Sequence, residues 1–296
     1  MPPILLHVLA ALLYGALAAH FWRTRWRSPA PSAPRSARWE RVAIAVPFAL
    51  HTWLLYHELF AGPQLRFGFG QALSVTLWLA VLIYWFESLF IGLESMQALV
   101  LPLAAVCVLL PGIFPGLAVP PYAGDLAFRV HLLLAMLAYS LFTIAALHAL
   151  LMALLEGRLH RDRLFGRRDE ASRPPEPARR GAELLAGPLA RLPPLLTLER
   201  LLFQILAAGF VLLTLTLATG VIFSEEIFGR ALRFNHKTLF ACLSWVIFGL
   251  LLAGRWRYGW RGRKALRWTL AGFVALLLAY VGSRFVMEVV LGRSLA

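Results

Sequence analysis

The chain has 296 residues, 60% of them hydrophobic and only 15% charged, with a mean hydropathy of +0.71; a water-soluble core of this length cannot hide that much apolar side chain. Its 29 Lys and Arg against 15 Asp and Glu give a formal charge of +14. In a soluble protein that would suggest nucleic acid, but here the arginines stand in blocks between apolar runs and read as a membrane topology signal.

With about 20 apolar residues needed per span, the first four runs fall at Ile4–Trp22, Val42–Phe60, Ala72–Ile91 and Ala98–Phe114. Four more follow at Phe128–Leu155, Leu202–Phe223, Thr238–Gly254 and Trp268–Val290. The expected fold is an all-α polytopic membrane bundle of eight transmembrane helices. Pro47 and Pro102 lie inside the second and fourth runs, where neighbouring helices can satisfy the freed backbone groups. The first run has no basic segment before it and no small-residue cleavage site after it, so it reads as a retained helix.

Arginine placement predicts orientation. With the N-terminus outside, 22 of the 29 basic residues fall in inside segments: those between Arg23 and Arg41, between Arg158 and Arg200, and between Arg255 and Arg267. The remaining 7 lie outside, and an even number of spans then places both termini outside. The stretch from Arg158 to Pro194 is rich in Arg, Pro and Glu and cannot bury enough apolar surface to fold. The expected organisation is a five-helix membrane set over 1–155, a basic cytoplasmic linker over 156–200 and a three-helix set over 201–296, with no internal repeat.

Cys107 and Cys242 both fall inside expected spans and read as small core residues. CxxC and CxxCH are absent, so neither thiol exchange nor covalent haem attachment is expected of this chain. Walker, Rossmann, HExxH and GxSxG patterns are absent too, and no enzyme activity is expected.

An imidazole within the hydrocarbon is costly and usually has work as a ligand or proton carrier. Of the eight histidines, His160 falls in the linker, His20 and His148 toward the inner face, His51 near mid-membrane, and His7, His57, His131 and His236 toward the outer face. Imidazoles from different helices near one face are what axial ligation of a haem iron requires. His7 and His57, at run ends, are expected to be interfacial, whereas His131 lies inside a long apolar run preceded by Asp125 and Arg129. The stretch from Ile222 to Lys237 interleaves Phe223, Phe228 and Phe234 with Arg230, Arg233 and Lys237. It reads either as an aromatic belt with headgroup charges or as rings facing a porphyrin whose propionates meet the basic groups.

The segment from Thr219-Gly220 through Glu226, Gly229 and Lys237, then Gly259-Trp260-Arg261-Gly262-Arg263-Lys264 and the run ending Tyr280-Val281-Gly282, resembles the C-terminal half of the CcsA/CcmC cytochrome c assembly family. The resemblance extends back to His131-Leu132-Leu133-Leu134 and Ala138-Tyr139-Ser140. The GWRGR loop, the PLLTLERLLF lead-in to the sixth run and the eight-helix layout are similar to its YpjD/HemX branch. The chain departs from the haem-handling members in three places. Phe234-Asn235-His236-Lys237 stands where they carry WxWDPKE, no histidine follows the last run, and Ala253 stands near the position of a histidine in the seventh.

The resemblance implies haem contact at His131, which matches the family's outer histidine ligand. His51 is similar to a histidine in the second helix of the YpjD branch. By position, His236 is a further candidate axial ligand, and Arg129, Arg233 and Lys237 are candidate propionate partners. The expected function is a multi-pass inner-membrane protein that binds or handles non-covalent haem b in connection with cytochrome c assembly, with membrane-protein partners in that process. The alternatives are an accessory or regulatory membrane protein acting through partners, in haem biosynthesis or beside a divalent-cation exporter, and a transporter using Glu58, Glu87, Arg284 and Glu288.

Overall fold

The computed structural model describes residues 3–26, 38–60, 66–90, 96–116, 125–165, 195–228 and 236–286. Helices α1 (Pro3–Phe21), α2 (Arg38–Phe60), α3 (Phe69–Phe90), α4 (Gln97–Cys107) and α5 (Leu110–Ile113) come first. They are followed by α6 (Leu126–Phe165), α7 (Leu195–Phe228), α8 (His236–Tyr258), α9 (Gly262–Leu277) and the short α10 (Ser283–Phe285). Two π-helical turns, Trp22–Trp26 and Leu278–Gly282, extend α1 and α9. No strand occurs among the described residues, as expected where a bilayer cannot satisfy an open sheet edge.

Seven of these helical stretches are long and apolar enough to cross a bilayer. The fourth expected span is the short one: α4 and α5 together cover Gln97–Ile113, about 25 Å at the helical rise. They are separated by a turn at Val108 and Leu109, with Pro111 in the first turn of α5, where its missing N–H costs nothing. Pro47 and Pro102 are both accommodated within helices, α2 and α4.

The helices bordering the expected linker outrun their expected spans: α6 continues to Phe165 and α7 already begins at Leu195. The expected linker therefore carries helix at both its margins, and its residues 166–194 lie outside the described residues.

Side-chain contacts define two ends of the bundle. At one, His20 of α1 meets Glu40 of α2 at 3.1 Å, and Glu156 of α6 faces Arg263 of α9 at 3.9 Å. There too Glu199 of α7 pairs with Arg255 of α8 and lies 3.5 Å from Arg261, and the Lys264 ammonium sits 3.6 Å over the Trp260 ring. At the other end, His7 of α1 meets Glu58 of α2, and His131 of α6 meets Thr219 of α7. The His20–Glu40, His7–Glu58, His131–Thr219 and Glu199–Arg255 contacts each join opposite ends of two packed helices, so α1 and α2, α6 and α7, and α7 and α8 run antiparallel. The first end is arginine-rich, the second arginine-poor. Apolar residues such as Leu12, Val42, Phe90 and Leu133 project outward from several helices, which is the surface a lipid tail requires.

The packing has an internal symmetry that the sequence hides. Helix α1 packs on α2 and α4, and α3 on the same two; likewise α6 packs on α7 and α9, and α8 on the same two. In the first set, Trp78 of α3 stacks on Phe48 of α2 (5.4 Å, 7°) and its indole N–H donates to Thr52 Oγ1 at 2.8 Å. In the second, Trp245 of α8 stacks on Phe210 of α7 (5.6 Å, 22°) and donates to Thr214 Oγ1 at 2.9 Å. Both threonine hydroxyls in turn donate to the carbonyl four residues back, at 2.8 Å. The same Phe-x3-Thr lock, closed by a Trp of the next helix, thus occurs in two four-helix sets. The expectation of no repeat fails because the shared signal is confined to a few contact residues, while lipid-facing positions need only be apolar.

The sets join through α3 and α6, where the Ser140 hydroxyl, 2.6 Å from the Met136 carbonyl of its own helix, lies 3.1 Å from the Thr76 carbonyl. Their interiors differ. The second set is filled by Phe142 stacked on Phe248 at 3.9 Å, admitted by Gly209 and Gly272, where a Cβ would come within 3.1 Å and 2.8 Å of those rings. The first set buries Tyr14, His51, Gln71 and Ser74 instead.

Candidate functional site

His131 lies one and a half turns into α6, half-buried at the arginine-poor end. Its Nδ1 is 2.9 Å from the Thr219 hydroxyl on α7. That hydroxyl has a single hydrogen, and it faces the carbonyls of Leu215 at 2.8 Å and Thr216 at 3.0 Å. With that hydrogen given to a carbonyl, Thr219 Oγ1 accepts from an Nδ1–H of the imidazole, the tautomer that keeps the lone pair on Nε2. Nε2 makes no hydrogen bond to a described residue. Gly220 completes the seat, since a Cβ there would stand 3.3 Å from His131 Cε1. A histidine whose distal nitrogen is pinned by a neighbouring acceptor is the usual form of a metal-ligating imidazole. Around it Leu126, Val130, Leu133, Val221 and Ile222 are exposed.

The other expected ligands are placed differently. His51 is fully buried within the first set, its Nε2 2.9 Å from Ser74 Oγ and its Nδ1 3.5 Å from the Tyr14 hydroxyl. It joins α1, α2 and α3, whereas His131 joins α6 and α7, and no contact brings the two imidazoles together. His236 opens α8 and is exposed; no hydrogen bond links it to His131. Arg129 is exposed two residues before His131, and Lys237 is partly buried at the start of α8. Both interact with other residues. Arg233 lies outside the described residues. No three His, Cys, Asp or Glu side chains form a metal-ion site among the described residues.

The residue that sequence reasoning missed is His7. Expected at the interface, it is only 2% exposed. Its Nδ1 lies 2.7 Å from the Val108 carbonyl, left available by the break between α4 and α5, and its Nε2 2.8 Å from Glu58 Oε1. A carbonyl only accepts, so Nδ1 carries a proton. The Nε2–Glu58 contact then holds one further proton, whichever partner owns it, and no lone pair is left open. Gly112 fits this ring as Gly220 fits His131, with a Cβ coming 3.2 Å from His7 Cδ2. The available sequence signal was a His near the start of one run and a Glu near the end of the next, which antiparallel packing brings level.

His57, also expected at the interface, is exposed and lies against Trp53 at 4.4 Å. His148 is fully buried, with Nδ1 bonded to the Ile144 carbonyl at 3.0 Å. Cys107 and Cys242 are both unpaired thiols, the first buried and the second partly so.

The family profile described as Cytochrome C assembly protein matches residues 39–291, nearly the whole chain. The chain belongs to the cytochrome c assembly family. Inner membrane protein YpjD of Escherichia coli K12 is 32% identical over 161 residues, covering 54% of this chain and 52% of that protein. A protein of Azospirillum brasilense described only as an uncharacterized 28.8 kDa product is 35% identical over 164 residues, 55% of this chain and 52% of its own length. The cytochrome c biogenesis protein CcsA of Prochlorococcus marinus is 35% identical over 88 residues, 30% of this chain and 28% of that one. Matches to these relatives thus span about half of their length or less. No solved structure matches. With seven apolar helices of spanning length and an inner-membrane relative, this family member is a multi-pass inner membrane protein.

Proposed function

We propose that this cytochrome c assembly family member binds haem at its arginine-poor end, with His131 as an axial ligand, and handles it there without covalent chemistry. The observation that carries the reading is the 2.9 Å contact of His131 Nδ1 with the Thr219 hydroxyl, itself facing two carbonyls, an arrangement that suits a proton on Nδ1 and a lone pair on Nε2. The residues present suit the group. The exposed side chains of Leu126, Val130 and Leu133 offer an apolar surface to a porphyrin, and Arg129 and Lys237, at the same end, carry charges complementary to propionates. Haem would supply an iron centre able to change oxidation state, while the protein's part is to hold, orient and release it. The name of the CcsA relative agrees with a role in cytochrome c biogenesis. His51 is not needed by this reading, because its nitrogens already face Ser74 and Tyr14; His236 remains the candidate second ligand by position.

We further propose that the arginine-rich end faces the cytoplasm, by the rule that retained segments keep their basic residues. The haem end would then face outward, where cytochrome c is assembled.

The test is the absorption spectrum of full-length protein purified in detergent after expression with ample haem. A Soret band is expected in the wild type and its loss or conversion to a high-spin form in His131→Ala. Thr219→Val, which frees Nδ1 to lose its proton and the ring to turn, is expected to weaken haem retention on the order of tenfold. A colourless wild type would overturn the proposal.

A further inference from the structure

Two sequence motifs that the haem reading leaves unused meet at the arginine-rich end. Glu199, in the first turns of α7, pairs with Arg255 near the end of α8 and lies 3.5 Å from Arg261 in the GWRGR turn. That turn, between α8 and α9, is held from several sides. Gly259 takes the left-handed conformation (φ +63°), and the Gly259 and Trp260 amides donate to the carbonyls of Arg255 and Gly254 at 3.1 and 3.2 Å. The Trp260 ring folds back over Gly254, where a Cβ would stand 2.4 Å from it, and packs on Trp268 at 5.4 Å. Arg255 also donates to the Trp260 carbonyl at 3.3 Å. The basic residues that follow are therefore carried on a fixed hairpin.

Their charge is not balanced within the bundle. No Asp or Glu occurs in the sequence between Glu226 and Glu288. Two carboxylates reach the hairpin from neighbouring helices: Glu199 serves Arg255 and Arg261, and Glu156 faces Arg263. Arg257, Lys264 and Arg267 are exposed and meet no carboxylate among the described residues. Beside them Trp256 and Tyr258 are 90% and 74% exposed, so two large rings at the end of a helix of spanning length are left uncovered by the bundle. Rings of this kind settle among lipid headgroups, and cations at that depth attract anionic lipid.

We propose that the α8–α9 hairpin is a binding surface for anionic phospholipid, with Arg257, Lys264 and Arg267 receiving the headgroup phosphate and Trp256 and Tyr258 seated at headgroup level. Lipid is favoured over a soluble phosphate because the uncovered rings accompany the cations at the end of a spanning helix. Glu199 and Gly254 are positioning residues, which fix the turn without touching the lipid. The surface is independent of any haem bound at the opposite end.

The test uses full-length protein in phosphatidylcholine vesicles with a trace of spin-labelled phosphatidylglycerol or spin-labelled phosphatidylcholine, the protein-bound fraction being read by electron spin resonance. Wild type should prefer the anionic label about fivefold or more. The triple variant Arg257→Gln, Lys264→Gln, Arg267→Gln, which breaks no ion pair, should bring the preference close to unity. Removing the same charge from another basic segment, with Arg23→Gln, Arg25→Gln, Arg27→Gln, should leave most of it. Gly254→Leu keeps every charge but displaces Trp260, and should also lose most of the preference. A monodisperse gel-filtration peak identifies variants that fold, and the hairpin triple decides the matter if Gly254→Leu does not. Excess inorganic phosphate at constant ionic strength should not release the anionic label.

Equal binding of the two labels by wild type would overturn the proposal. So would an equal loss of preference in the two triple variants, which would make net charge its only source, or an unchanged preference in a folded Gly254→Leu. Release by inorganic phosphate would assign the surface to a soluble anion in place of lipid.

Discussion

The two four-helix sets share a scaffold and divide in content. The first buries a histidine, a tyrosine and a serine in mutual contact, and closes its outer histidine with Glu58. The second is filled by stacked aromatics and leaves its outer histidine half open beside Gly220. The difference teaches that a buried imidazole in a membrane bundle signals function only when one nitrogen is spare. His7 and His51 are the better buried, and their hydrogen bonds are what make them poor ligand candidates. His131 and His148 each have one nitrogen bonded and the other unengaged, but His148 is fully buried whereas His131 is only half-buried, so His131 is the one of the two that a ligand can reach.

The largest effect expected from breaking this comparison is in the aromatic core. Phe142→Ala removes the ring stacked on Phe248 and leaves a cavity between α6, α7 and α8, a loss of about 3–5 kcal/mol. It should appear as a markedly lower thermal midpoint in detergent. In the first set, His7→Ala leaves Glu58 and the Val108 carbonyl without their partner inside the bundle, at a cost of about 2–3 kcal/mol. Its midpoint should fall while haem content per folded molecule is unchanged. His7→Gln, which keeps one donor for the carbonyl, should recover part of the loss.

The smallest effects concern the paired locks. Trp78→Phe and Trp245→Phe each keep a ring on their phenylalanine and lose one N–H···O bond, worth about 0.6–1 kcal/mol within a bundle. If the sets are quasi-equivalent, the two midpoints should drop by similar amounts. A several-fold disparity would contradict the equivalence.

Much of the fold was legible because spanning helices announce themselves by apolar length. The expected run Ile4–Trp22 lies almost on α1, and Val42–Phe60 within α2. What was under-read are the ends that leave the apolar zone. Residues 156–165 and 195–200 carry arginine and glutamate, and their charge argues for solvent without saying whether the backbone is helical there. His131 was legible from its place inside a long apolar run. His7 was misjudged because its partners lie 51 and 101 positions away, and Gly220 because an absent side chain gives no signal until its neighbour is seen.

Haem titration of the purified full chain, with three variants side by side, tests the central claim most directly. Wild type and His7→Ala should each bind one equivalent with a matching Soret band, His51→Leu should do the same if it folds, and His131→Ala should bind none in the axial form. Retention of an unaltered Soret band by His131→Ala, or its loss in His7→Ala while His131→Ala keeps it, would contradict the assignment of the open histidine as the ligand.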